Sequence, residues 1–456
     1  MFQEHPEYVS QKSLLAEYRC LYAGGEEFKK NAGNFLARRQ KEPIQVYSER
    51  LERAFYENYI GSIIDWYSAT LFRREPQVVT SGTNESGRRY FHELLDNCDT
   101  HGTNLTEFFR HQLIQALIYG SSYTLIDFPR SDREIYSRAD EDRCGLSHGY
   151  LQGFTPLDLI NWNYGEKGDL EWIVLRTQRQ YQESITHKTW VNETRWTYYD
   201  RSSFKIFRQV DGENASSEPE LIAEGQHGMA SLNRVPFFEL KVNDGLWFMR
   251  KAAQIQLEHF NKSNALSWAL TMGLFAMPVV YSDREFKQMI GESYYIQLGP
   301  EDKFGWTEPE GHVYQLAAEN LNRLQREIYR VCYLLTQAGG SLTSGISQSG
   351  LSKQRDFAIT QEVLRSLGDR VKDLIKNVLR SLESVRQDGL SIDVTGLDDF
   401  DVGEFSSELE DGERLMKLGI PSSSFEKKLQ TKLALKYLSD IRPELKDRIS
   451  REIENS

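Results

Sequence analysis

Apolar residues in the last third of the chain fall at intervals of mostly three and four. Phe357, Leu364, Leu367, Val371, Leu374, Val378, Leu382 and Val385 form the stripe of an amphipathic helix. Over 355–387 that helix runs about 50 Å, at about 1.5 Å per residue. The same spacing recurs upstream in Leu316, Leu321, Leu324, Ile328, Val331 and Leu335. Between the two lies AGGSLTSGISQSGLSKQRDF, residues 338–357. Its Gly339, Gly340, Gly345 and Gly350 each cost a helix about 1 kcal/mol relative to alanine. The pattern predicts a mobile loop between two helices.

Earlier in the chain, helical patterns cover 6–36, 47–72, 103–119 and 246–272. The second carries Leu51, Phe55, Tyr59, Ile63, Trp66, Ala69 and Leu71 and is followed by Pro76. The third has Thr103 as its expected cap and runs through Gly120 into the apolar run 123–128. Short alternating or aromatic segments at 151–159, 170–179, 188–199 and 204–210 read as an antiparallel meander, with Gly165 and Gly168 among the turn residues. Residues 132–142 are charged and read as an exposed loop. Further extended segments are expected at 278–281, 293–298 and 389–394. The fold class is therefore α+β.

At 456 residues the chain has room for about three ordinary domains. Its formal net charge of −12 excludes a general DNA-coating role, which needs Lys and Arg to neutralise phosphates. An acidic surface is useful near DNA only where the duplex must slide without sticking. Residues 398–413 concentrate eight carboxylates, from Asp398 to Glu413, with no Lys or Arg, and read as a solvated face. Cys20, Cys98, Cys144 and Cys332 form no CxxC pair, so free thiols in a reducing cytoplasm are expected rather than disulfides or zinc. The first residues, MFQEHPEYVSQK, lack the apolar core of a signal peptide.

Chemistry is sparse. Gly340 and Gly345 have the spacing that opens a phosphate-binding loop, but Ile346 stands where the Lys would be. The nine histidines form no HExxH pair, and no GxSxG elbow is present. Neither an enzyme nor a cofactor or metal site is expected. Two other classes stay open. One is a membrane-associated protein using the uncharged stretch 263–282, weakened by its polar residues and Pro278. The other is an aromatic-rich hydrolase, whose paired carboxylates would converge only in three dimensions.

The helix, the Gly/Ser loop with SGLSKQRDF and the very long helix resemble the tunnel loop and tunnel-lining helix of tailed-bacteriophage portal proteins, the head-to-tail connector family. ALIYGSSYTLIDFP resembles the helix-to-strand passage into that family's wing, and HGMASLNRVPFFEL the strand that leads out of it. The resemblance implies a portal-protein fold with helical stem, long tunnel-lining helix, β-rich wing, small α/β clip and helical crown. It divides the chain into a wing (1–245), a first stem helix (246–272), a clip (273–315) and a second stem helix (316–337). A tunnel loop (338–354), a long tunnel helix (355–388), a wing return strand (389–405) and a crown (406–456) follow.

By the same resemblance the chain forms a homo-oligomeric ring, a dodecamer, that passes double-stranded DNA without sequence specificity. Gly339, Gly340, Ser341, Ser344, Gly345, Ser347, Gly350, Lys353 and Arg355 are the implied DNA-channel residues; capping or solvating the helix start accounts for Lys353 and Arg355 equally well. Tyr294, Tyr295, Phe304 and Trp306 are the implied partner anchors of the clip, and core packing accounts for each singly as well. The implied partners are the terminase large subunit, a head-completion or tail adaptor protein, and the major capsid and scaffolding proteins, with no membrane. The implied location is the portal vertex of a virion, assembled in the cytoplasm of a bacterial host.

Overall fold

The computed structural model describes residues 2–129, 145–182, 190–210, 218–273, 277–281, 301, 303–307, 311–334 and 350–398, with short pieces between 422 and 453. The chain divides into two compact units, Met1–Asp398 and Asp399–Ser456. In the second unit, which contains the expected crown, the described residues are mostly short helical pieces. The strand expected at 293–298 and the loop at 132–142 lie outside the described residues.

The first unit opens with helices α1 (Pro6–Ala23), α2 (Gly25–Phe35), α3 (Ile44–Glu52) and α4 (Tyr59–Leu71). The single helix expected over 47–72 is thus two. Its break is held from far away in the sequence: Asn264 receives the Phe55 N–H at 3.0 Å and donates to the Phe55 carbonyl at 2.9 Å. Asn58 then caps α4 by accepting the Gly61 N–H at 2.8 Å.

After α4 come strand β1 (Gln77–Ser81), helices α5 (Glu85–Asp96) and α6 (Leu105–Tyr119), and strand β2 (Ser121–Asp127). The cap of α6 is Asn104 rather than Thr103, accepting from the Glu107 N–H at 2.8 Å. Gly120, at φ 87°, stops α6 in a left-handed turn that an L side chain would resist, and β2 starts at the next residue.

Strands β3 (Tyr150–Phe154) and β9 (Phe237–Lys241) flank β2 in a three-stranded antiparallel sheet. Strands β4 (Leu159–Tyr164), β5 (Leu170–Tyr181), β6 (Val191–Asp200), β7 (Ser203–Val210) and β8 (Glu220–Gln226) form the expected meander. The segment expected at 151–159 is split between the two sheets by a turn in which Asp158 accepts from both the N–H and the hydroxyl of Thr155. Leu125, Val235 and Phe237 from one side and Leu159, Ile173, Leu175, Tyr199 and Phe204 from the other close a shared core.

Helix α7 (Phe248–Gly273) matches the expected one, and strand β10 (Met277–Tyr281) follows it. The uncharged stretch 263–282 is therefore divided between a helix and a strand, and among the described residues no helix is long and apolar enough to cross a membrane. The polar side chains of α7 are taken up within the chain. Gln256 donates to the Glu57 carbonyl, and Asn261 bonds the Phe35 carbonyl and the Ala37 N–H.

Strand β11 (Lys303–Thr307), helix α8 (Gly311–Val331), helix α9 (Gly350–Arg386) and strand β12 (Ser391–Thr395) complete the unit. Strand β12 returns to pair antiparallel with β1, from Gln77↔Thr395 to Ser81↔Ser391. Helix α9 has 37 residues, about 55 Å at about 1.5 Å per residue. It starts at Gly350, so the predicted onset at Arg355 is too late: one glycine at a helix terminus costs little once the rest is anchored. Its buried face, including Leu364, Leu367, Val371, Ile375, Val378 and Leu382, packs against α4, α6, β9 and β12. Gly368 is required in mid-helix because a Cβ there would collide with the Leu397 carbonyl oxygen.

The C-terminal end of α9 is locked by Arg386, which is 3% exposed. Its guanidinium lies 4.1 Å over the Tyr90 ring of α5. It donates to Asp388 at 2.7 Å and to the Ser147 carbonyl and hydroxyl at 3.1 and 2.9 Å. Removing one member of a buried, hydrogen-bonded ion pair leaves the other uncompensated. Arg386→Leu is expected to lower the unfolding free energy by about 3–5 kcal/mol, measured from urea denaturation midpoints; an unchanged midpoint would show that this lock is dispensable.

Candidate nucleic-acid interface

The expected interface centres on the chain between α8 and α9. Gly339, Gly340, Ser341, Ser344, Gly345 and Ser347 lie outside the described residues, as do Tyr294 and Tyr295 of the expected clip. Gly350, Lys353 and Arg355 fall within α9 itself, so Gly350 and Lys353 are helical rather than part of the loop. Phe304 and Trp306 belong to β11, which pairs with β10 as a two-stranded antiparallel ladder at the registers Val280↔Phe304 and Pro278↔Trp306.

Helices α7 and α8 run antiparallel, as three hydrogen bonds along their length require. Lys251 Nζ donates to Tyr333 Oη just past the end of α8, Lys262 Nζ to Asn320 Oδ1, and Tyr314 Oη to the Ala269 carbonyl. The end of the pair nearer β10 and β11 leaves apolar side chains open to solvent. Leu270 is 43% exposed, Val313 63% and Leu316 51%. Three aliphatic groups exposed at one end of the helix pair form a surface that water disfavours.

At the opposite end of the pair the chain is pinned as it leaves α8. Tyr333 takes a left-handed conformation, φ 61°, which a bulky residue adopts only when its surroundings fix it. Those surroundings are explicit. Lys251 lies 4.8 Å over its ring, the Tyr333 carbonyl accepts from Thr360 Oγ1 of α9 at 2.6 Å, and the Cys332 carbonyl accepts from Tyr67 Oη of α4 at 2.8 Å. The Thr360 bond ties the exit of α8 to α9 and fixes this base of the helix pair. Neither Lys251, Thr360 nor Tyr333 carries a sequence signal that would have nominated it.

The two helices that border 335–349 differ in the state of their cations. On α9 every described Lys and Arg side chain is engaged. Arg365 pairs with Glu362 at 2.7 Å, Lys372 with Asp369 at 2.9 Å and Lys376 with Asp393 at 2.5 Å. Arg370 donates to Asn243 Oδ1, Arg380 to the Ile392 carbonyl, and Arg386 is buried. On α8, Arg330 is held by Glu327 at 2.5 Å, which holds that carboxyl below the usual range. Arg323 and Arg326 are exposed and make no hydrogen bond or ion pair among the described residues.

For the hydrolase reading, the aromatic content does converge. Tyr123, Trp162, Tyr164 and Phe237 line a cleft of about 530 Å³ between the two sheets. Asp169, one of its two lining carboxylates, is ion-paired with Arg201, which leaves Glu239, where glycoside cleavage takes two. Among the described residues no cluster of His, Cys, Asp and Glu is arranged to hold a metal ion.

No protein family and no curated protein matches the sequence. Among solved structures, a chain from the virion of a native gene transfer agent (GTA) particle aligns at a TM-score of 0.43 and 13% identity, over 88% of this chain and 97% of that one. A chain from the neck of an empty GTA particle, computed with C6 symmetry, aligns at a TM-score of 0.45 and 12% identity, over 82% of this chain and 90% of that one.

The pinned base predicts an inert thiol. Cys332 is fully buried, and burial pushes its thiol up to about 12, as it does for Cys98. Burial likewise pushes Cys20 up to about 11. With Cys144 replaced by serine, the native protein is expected to take up no thiol reagent at mildly alkaline pH and to react only after denaturation. Rapid native labelling at Cys332 would show that the base opens.

Proposed function

We propose that this chain is a portal-type connector: copies close into a ring, twelve by the resemblance, whose channel passes duplex DNA at one capsid vertex. The observation that carries this reading is the succession α7, β10, β11, α8 and α9. Two long antiparallel helices have a two-stranded ladder beyond their far ends and lead, at their near ends, into a helix of 37 residues. This is the order of stem, clip, stem, loop and tunnel helix that the family resemblance implies. A two-stranded ladder is marginal by itself and calls for covering by another element. The apolar end formed by Leu270, Val313 and Leu316 calls for the same, and neighbouring copies in a ring would supply it.

The charge distribution suits passage rather than capture. On the described part of α9, Arg365, Lys372, Lys376 and Arg386 are paired with carboxylates and Arg370 and Arg380 are hydrogen-bonded within the chain, so a wall built from that helix offers few ready cations to phosphates. Residues 339–350, rich in glycine and serine, are the proposed segment in contact with passing DNA, with Lys353 and Arg355 beside it. The ladder end, with Tyr294, Tyr295, Phe304 and Trp306, is the proposed docking site for the terminase large subunit and later for a head-completion or tail adaptor. Capsid and scaffolding proteins are the remaining proposed neighbours, and the virion, assembled in a bacterial cytoplasm, the proposed location. No catalytic step is assigned.

Negative-stain microscopy of the purified chain is expected to show annular particles with a central hole. Leu316→Asp, which places a charge in the apolar end, is expected to leave secondary structure intact and shift the particles to single chains. Deleting 341–349 is expected to leave rings intact while reducing the yield of DNA-filled heads. A chain that stays single at high concentration and in assembled particles would defeat the reading; filled heads at normal yield after the deletion would remove the loop's part in it.

A further inference from the structure

We propose that the phosphate contact of this protein is made by α8, through Arg323 and Arg326, and not by the described face of α9. The proposal rests on the reading of the chain as a DNA-passing ring and names the surface of that ring that holds the backbone.

Three observations carry it. First, the two arginines stand three residues apart on one helix, so they share a face and are separated by about 4.5 Å of axis, comparable to the about 3.4 Å axial rise between phosphates of one strand. Second, that face points away from the core. Leu324 and Ile328, on the other side of α8, are the buried residues of this stretch, while Arg323 and Arg326 are exposed. Third, their charge is available. Glu327, four residues after Arg323 and near enough to feel its charge, is gripped by Arg330 through two hydrogen bonds of 2.7 and 2.5 Å, and neither Arg323 nor Arg326 makes an ion pair among the described residues. Glu319, four residues before Arg323, is the other carboxylate on this side of the helix and receives a long hydrogen bond from Gln315 at 3.4 Å.

The contrast with α9 decides between the helices. A cation already paired with a carboxylate must break that pair before it binds a phosphate, whereas an unpaired guanidinium offers its fork of N–H donors at once. Arg365, Lys372 and Lys376 are paired, and Arg370 and Arg380 are committed to Asn243 and the Ile392 carbonyl. A paired surface beside two arginines per copy that make no ion pair among the described residues gives weak, sequence-independent holding: enough to keep a duplex centred, too little to arrest it. An anionic lipid surface would demand a broader basic field than one pair of arginines per copy.

The test uses the full-length chain and a short blunt DNA duplex, with binding followed over a salt series. The double variant Arg323→Gln/Arg326→Gln is expected to weaken binding at least about tenfold at low salt and to flatten the slope of log K against log salt by about one or more. Arg323→Lys/Arg326→Lys is expected to keep most of the slope. Arg365→Gln, which removes a paired cation of α9, is expected to change neither. Unchanged binding in the double glutamine variant overturns the proposal, as does an equal loss in Arg365→Gln or the absence of duplex binding by the parent chain. Tighter binding to phosphatidylserine vesicles than to duplex, lost in the same variant, overturns the choice of DNA. Particle mass read in parallel separates the two ideas: arginine-dependent binding by a chain that never forms rings would uphold this contact and defeat the ring.

Discussion

Burial of one face of α9 is the constraint on which the rest of the first unit depends. A 37-residue helix is far longer than its own propensities need support, and it carries an unbroken apolar stripe from Val363 to Leu382. Covering that stripe takes surface from α4 and α6 near the start of the chain, from β9 in the middle and from β12 beyond the helix itself. Elements separated by hundreds of residues are thereby brought to one line. The β1–β12 ladder follows from this, since the chain must return past the same helix.

Two kinds of polar contact then fix where the helices stop. At one end of α9, Arg386 joins the Tyr90 ring, Asp388 and the Ser147 turn, a buried charge satisfied on every side it presents. Near the other end, Thr360 and Lys251 hold Tyr333 in a strained backbone conformation. The strain is offset by packing and hydrogen bonds from three helices.

The electrostatic pattern is more informative than the net charge. A formal charge of −12 says only that indiscriminate binding to nucleic acid is disfavoured. The structure shows how cations are nonetheless kept on exposed helices: among the described residues, those of α9 are spent on carboxylates, an asparagine and a carbonyl of the same chain, and two of α8 make no ion pair.

What the sequence determined by itself was the kind and order of the long elements. The three-and-four spacing reads out α8 and α9 because an apolar stripe at that period can be satisfied only by a helix, and alternating or aromatic runs between turn glycines do the same for the meander. What only the tertiary structure decided were the interruptions, the caps and the state of each charge. The break between α3 and α4 exists because Asn264 captures the backbone of Phe55, and strands β1 and β8 form on partners that no local pattern announces. The onset of α9 at Gly350 and the freedom of Arg323 and Arg326 belong to the same class. A local pattern reports which face of a segment avoids water, whereas a hydrogen bond across two hundred residues, or the choice of which arginine a carboxylate grips, is a property of the folded arrangement alone.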